Sequence, residues 1–335
     1  MAAIALRAAA WYLPADVIAV TDLPELPALA ESERETCLAL GIDHVLADPD
    51  LDAVELAARA TRQALAQAGL SPAELDALIV IESRTPQTFL TSEPTRLQQL
   101  LGADRAMSFA VGGLGCASVA PGLLAARGLL CADRDMANVL VVHGCKPATP
   151  HRYRHPVTVN GDCGQALVVS RDGPVRILDI LVETSGRYWD LFRVDYRDRP
   201  CARWREECTD VSRYSFELAF ETRNRLRELH RRILDRNGLQ SGDISYYLSQ
   251  NLSAGAFRFY EEALGVTVAR ACVDNLRRYG HLGPNDVLLN LYTAIGSVPP
   301  ADFGRAVIFN VSPSASWSAM LLAGSESTAR QAHFL

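Results

Sequence analysis

Lysine is almost absent from this chain of 335 residues: Lys146 is the single one, and arginine supplies all the other strongly basic side chains. Lys and Arg together number 33 against 39 Asp and Glu, a net charge of -6, so nothing recommends a nucleic-acid partner. Cysteine pairs at CxxC spacing are missing as well; the eight thiols are scattered at 37, 116, 131, 145, 163, 201, 208 and 272. In a chain this long that pattern argues against a disulfide framework or a zinc site and is expected of reduced thiols in the cytoplasm. No run approaches the roughly 18 apolar residues of a membrane span. The opening residues 1–7 lack the charged, apolar and cleavage regions of a signal peptide and run into Trp11, Tyr12 and Pro14, so a first strand is expected there. What is present is apolar material, 49% of the chain against 21% charged, enough for a sizeable core and unlike a disordered or fibrous chain.

Short apolar runs alternate with helical patterns. Residues 51–68 carry apolar positions at helical spacing and stop at Gly69, and 77–81 reads as a buried strand followed by a loop beginning Glu82-Ser83-Arg84. A helix is expected over 93–101, a nearly all-apolar one from 117 to about 130, and strands at 138–143 and 165–170. The second half repeats this grammar with a helix over 217–236, a strand at 244–248 and a helix over 286–294. Gly69-Leu70-Ser71 corresponds to Gly238-Leu239-Gln240, strand 77–81 to 245–248, 139–142 to 307–309, and the loop at Cys116 to Tyr279-Gly280-His281-Leu282-Gly283. A repeat of half the chain is too long for a solenoid. It implies two related α/β units, 1–172 with the cysteine loop and 173–335 with the histidine loop, each expected to hold a largely parallel sheet. Residues 172–210 are expected to form a connection or a capping insertion.

Cys116 follows Gly112-Gly113-Leu114-Gly115 and precedes an apolar helix. A thiol there feels the positive end of the helix dipole, which favours the thiolate, although most free cysteines are buried fillers. His281 occupies the matching place in the second repeat, so pseudo-twofold packing brings it towards Cys116; a lone histidine is otherwise commonly structural. Asp286 is positioned to orient that imidazole as the third member of a Cys-His-Asp relay, with helix N-capping as its rival role. Cys163, His143 and His155 read as structural. No metal-ligand spacing and no dinucleotide fingerprint is found.

Together these pieces resemble β-ketoacyl carrier-protein synthase III and its thiolase-fold relatives over essentially the whole chain. The matching segments are Trp11-Tyr12-Leu13-Pro14, Leu40-Gly41-Ile42, Gly115-Cys116-Ala117, Asn160-Gly161-Asp162-Cys163-Gly164 and Ala315-Ser316-Trp317-Ser318-Ala319. The resemblance implies an α/β thiolase fold of duplicated αβαβα layers, an acyl-enzyme on Cys116 and no bound cofactor. It implies as substrate an acyl thioester of phosphopantetheine, on an acyl carrier protein or coenzyme A. It also implies a homodimer, with Phe89 where a partner subunit closes the acyl pocket.

The departures bear on function. Where decarboxylating synthases have His-Gln-Ala-Asn this chain reads Ser249-Gln250-Asn251-Leu252, and His281 stands at the family's Gly-Asn loop. Gly-His followed five residues later by Asp is similar to the ketosynthase-III-like acyltransferases of natural-product (polyketide) pathways. Those enzymes pass an acyl group to a hydroxyl, amine or thiol, on a small molecule or a carrier, without making a carbon–carbon bond. The oxyanion donors implied are the Cys116 amide and Ser314, since Pro313 has no amide to give. Arg154 keeps a family arginine position, whereas Thr36 and Ala39 replace the coenzyme A clamp, which favours a carrier-protein donor. The arginine-rich helix carrying Arg223, Arg225, Arg227, Arg231, Arg232 and Arg236 is a docking candidate for such a carrier, or else a solvated face. A condensing enzyme with a Cys-His dyad and a non-catalytic synthase subunit are the competing readings.

Overall fold

Asp52 starts the first long helix. Its side chain accepts from the Glu55 amide while Glu55 reaches back to the Asp52 amide, and Gly69, in the left-handed conformation at φ 65°, ends it. The computed structural model describes residues 4–82, 86 and 88–325. Residues 1–3 of the expected first strand, and Ser83 and Arg84 of the expected loop, lie outside the described residues.

In chain order, β1 (Ile4–Tyr12) is followed by the short pair β2 (Asp16–Ala19) and β3 (His44–Ala47) around α1 (Glu31–Leu38). Next come α2 (Ala53–Ala68), β4 (Ala77–Ile81), α3 (Glu93–Leu101), β5 (Met107–Val111), α4 (Val119–Ala132) and β6 (Val139–Cys145). The two-residue strands β7 (Tyr153–Arg154) and β8 (Thr158–Val159) lead to β9 (Cys163–Ser170) and β10 (Val175–Thr184). A small hairpin of β11 (Phe192–Val194) and β12 (Glu206–Cys208) precedes α5 (Ala219–Asn237). Then come β13 (Tyr246–Ser249), α6 (Ala254–Leu264), α7 (Arg270–Tyr279), α8 (Asp286–Ile295), and the final hairpin of β14 (Arg305–Ser312) and β15 (Ser316–Gly324).

Nine strands form one sheet in the order β13-β14-β15-β10-β1-β9-β6-β4-β5. Outward from the β10–β1 pair, β9, β6 and β4 on one side are answered by β15, β14 and β13 on the other, the places at which the sequence segments correspond. The expectation of a largely parallel sheet is corrected. Only the pairs linked through helices, β4 with β5 and β6 and β13 with β14, are parallel. The pairs β6–β9 and β14–β15, linked by segments without a helix, run antiparallel, as do those made by β1 and β10. A second correction concerns 172–210. Residues 175–184 are a ten-residue strand at the centre of the sheet, and only the stretch after it caps the molecule.

Alternation along the strands divides the core. Leu78 and Val80 of β4 and Leu140 and Val142 of β6 pack with α2, whereas Ile79, Ile81, Val139 and Val141 pack with α4. Thiolase-type layering follows: α2 and α3 outside, sheet, then a central layer in which α4 and α8 share one apolar cluster. The stretch Gly115–Ala132, with mean hydropathy 1.4 over 18 residues, is long and apolar enough by composition to cross a membrane, which corrects the expectation that no run comes near that length. It is half buried here as the core helix behind Cys116. Leu123, fully buried in that helix, is expected to cost about 2–5 kcal/mol on truncation to alanine, read as a lowered denaturant midpoint.

The arginine-rich helix is α5, entered through a π-helical turn, Arg213–Leu218. Its guanidinium groups are largely engaged within the chain. Arg225 pairs with Glu221 and Glu183, Arg231 with Glu228 and Asp235, Arg232 with Glu183 and Arg236 with Asp179. These four arginines pair with acidic neighbours and remain part-exposed to solvent.

Candidate active site

Gly115 makes the approach to the nucleophile position. Its φ is +52°, and a Cβ there would lie 2.5 Å from the Ser312 hydroxyl oxygen, so only glycine lets the Cys116 turn meet the β14–β15 hairpin this closely. Cys116 sits in a 3-10 turn, Gly115–Ser118, that runs directly into α4. Asn310 of β14 donates to its carbonyl at 2.8 Å. The Cys116 sulfur is 2.9 Å from His281 Nε2.

His281 reaches that point because Gly280, at φ +63°, ends α7 with no room for a side chain: a Cβ would lie 2.7 Å from the Val159 carbonyl. The histidine amide donates to that same carbonyl at 2.9 Å, and its own carbonyl accepts from Gly161 at 3.0 Å. The loop of the second half is thereby pinned to the first. On the far side of the ring, Nδ1 lies 2.6 Å from Asp286 Oδ2. Asp286 also accepts from the Asn251 amide at 2.9 Å and the Leu282 amide at 2.8 Å. Asn285, not Asp286, holds the N-cap position of α8, so the capping role considered for Asp286 gives way to one in which its oxygens hold the His281 loop. Behind it Asn290 donates to the Ser249 carbonyl at 2.7 Å and to Asn251 Oδ1 at 2.8 Å, and accepts from Asn275 at 2.8 Å.

Cys116, His281 and Asp286 are all essentially inaccessible to solvent. Burial alone drives the His281 imidazole downwards, but the charges of Cys116 and Asp286 and the hydrogen bonds to both outweigh it and raise the ring to about 9. An imidazolium held to that pH favours a thiolate beside it. With Nδ1 facing Asp286, Nε2 is the ring nitrogen within hydrogen-bond reach of the sulfur.

The other expected site residues divide. Phe89, Arg154 and Ser314 line one cavity of 480 Å³ that also touches Gly115. Arg154 is buried and faces Glu206 at 3.4 Å; Phe89 is exposed and stacks on Tyr196, ring centroids 6.2 Å apart. Ser249 is buried at the end of β13 with its hydroxyl given to Gln250 Oε1 at 3.3 Å. The Ser314 amide, implied as an oxyanion donor, donates at 3.3 Å to the Ser312 hydroxyl, a bond it must exchange to serve an oxyanion. Sequence reasoning missed Tyr260 of α6, a buried phenol that hydrogen-bonds Ser249 and senses the charge of Cys116. Burial first, then Tyr214, push its pKa further above the usual phenol range. It also missed Glu206 and Asn290. Among the described residues no cluster of metal-ligating side chains occurs.

No protein-family model matches the chain. The β-ketoacyl-[acyl-carrier-protein] synthase III of Cereibacter sphaeroides is 29% identical over 253 residues, 72% of this chain and 74% of that one. The enzyme of the same name from Aquifex aeolicus is 24% identical over 316 residues, 93% and 96% of the two chains. Among solved structures, ChlB3, described as an acyltransferase, superposes with TM-score 0.82 at 20% identity, covering 96% of this chain and 97% of its own. The chain is synthase III-like and has the thiolase fold. AbyA1, described as a tetronic acid condensing enzyme, superposes with TM-score 0.76 at 20% identity, covering 96% of the synthase III-like chain and 100% of its own. Both chemistries thus occur among its structural neighbours.

Proposed function

We propose that this protein is an acyltransferase working by a ping-pong route, with Cys116, His281 and Asp286 as its catalytic residues, contributed by the halves 1–172 and 173–335. The supporting observation is the continuous line from sulfur to imidazole to carboxylate, 2.9 Å and 2.6 Å long, together with serine, not histidine, at 249. The Cys116 thiolate attacks the carbonyl of an acyl thioester. The new carbon–sulfur bond forms as the donor's breaks, and the departing thiolate takes its proton from His281. An acceptor hydroxyl, amine or thiol then gives its proton to Nε2 while attacking the acyl-enzyme, and Cys116 leaves as thiolate. The Cys116 amide serves the tetrahedral oxyanion, joined by Ser314 once its amide leaves Ser312. The donor is a phosphopantetheine thioester, on a carrier protein or coenzyme A, and the protein acts as a homodimer in natural-product assembly.

Incubation with a panel of acyl carrier and coenzyme A thioesters is expected to add one acyl mass to Cys116. Cys116→Ala is expected to show none. An adduct of equal extent in that variant overturns the reading. Release of carbon dioxide from a malonyl thioester, coupled to a lengthened product, replaces it with condensation, the chemistry of the synthase relatives.

A further inference from the structure

Arg154 is 3% exposed yet only partly satisfied. Its Nη1 faces Glu206 Oε2 at 3.4 Å. Among the described residues Nε and Nη2, both buried, have no hydrogen-bond partner. These two nitrogens form the side-on edge of the guanidinium, two parallel donors spaced for the two oxygens of one carboxylate. An orphaned donor pair at this depth is costly and marks a place where a ligand supplies the acceptors.

Arg154 lines the 480 Å³ cavity that also touches Gly115, a volume typical of small-molecule sites. Phe192, Tyr196 and Trp204 form an apolar, flat-sided part of the wall, with Tyr196 and Trp204 in edge-to-face contact at 5.9 Å. The charged residues on the wall are Arg154, Arg193 and Glu206, a surplus of one positive charge. Six of the lining residues, Phe192, Arg193, Val194, Tyr196, Trp204 and Glu206, come from the segment around the β11–β12 hairpin, which encloses the arginine instead of leaving it at the surface.

We propose that the Nε–Nη2 edge of Arg154 receives a carboxylate carried by the acyl or acceptor group, whose flat apolar body lies against Phe192, Tyr196 and Trp204. This rests on the acyl-transfer reading for its meaning, but its test does not need turnover. Benzoate and its neutral isostere benzamide are titrated into the Cys116→Ala protein by calorimetry. Benzoate is expected to bind at least tenfold tighter than benzamide, and Arg154→Lys, which keeps the charge and loses the fork, to weaken benzoate at least tenfold. Glu206→Gln, which removes the competing carboxylate, is expected to tighten benzoate about threefold, a direction that loss of structure does not produce. Should Arg154→Lys unfold, the benzoate-to-benzamide ratio and Glu206→Gln decide alone. Equal binding of benzoate and benzamide overturns the proposal. So does displacement of benzoate by coenzyme A or inorganic phosphate with the same Arg154 dependence, which assigns the fork to the donor's phosphate. A Cys116 adduct without the benzoate preference sinks this inference and leaves acyl transfer standing; the preference without any adduct does the reverse.

Discussion

The alkylation rate of Cys116 by iodoacetamide is expected to stay nearly flat between about pH 6 and pH 9 and to rise only beyond. The sulfur is 2.9 Å from a ring whose pKa is raised to about 9, so a thiolate paired with imidazolium is the reactive species expected across that window. Above it the ring loses its proton, and the unpaired thiolate becomes the stronger nucleophile. In His281→Asn the attraction is gone, and the rate is expected to climb about tenfold per pH unit towards the ordinary thiol range near 8.5. At pH 6.5 the two proteins then differ by about 100-fold. A wild-type profile that climbs like that of the variant removes the ion pair. The same substitution is expected to lower acyl transfer by about 10²–10⁴ through loss of the proton carrier.

Asp286→Asn is the second large effect. The carboxylate is fully buried and receives three donors, from His281, Asn251 and Leu282. An amide keeps the shape but turns one acceptor into a donor facing Nδ1 or a backbone N–H. It is expected to lower acyl transfer by about 10³–10⁴, because the ring loses its tautomer and its counter-charge, and to lower stability by about 3 kcal/mol, because a buried pair is broken from one side. Full activity with an unchanged melting temperature assigns Asp286 to neither task.

Much of this geometry was legible before any coordinates. The bounds of α3 and β4 match the expected ones because each carries a local signal: Ser92 as cap and Gly102 in left-handed conformation for the helix, five consecutive apolar residues for the strand. The meeting of Cys116 and His281 followed from the repeat. Strand direction was not legible, because it depends on whether the connection is a helix or a turn, not on the strands' own residues. Nor was β10, whose sequence VRILDILVET alternates weakly beside a stretch rich in arginine and tryptophan. Asp286 shows why a helix-start aspartate is ambiguous: position fixes its place in the turn, and only the Asn251 and Leu282 amides decide where its oxygens point. Nothing local marks Tyr260, whose partner Ser249 is eleven residues away on another element. Arg154 was found by resemblance alone, and its environment depends on Glu206, 52 residues later.

Lys146, the sole lysine, has its ammonium hydrogen-bonded to the carbonyls of Asp48, at 2.7 Å, and Leu51. Those bonds hold the half-buried amine against two backbone carbonyls. No other lysine side chain is present for amine-directed acylation. Amine-directed tags or cross-linkers meet one reluctant side chain where most proteins of this size offer many.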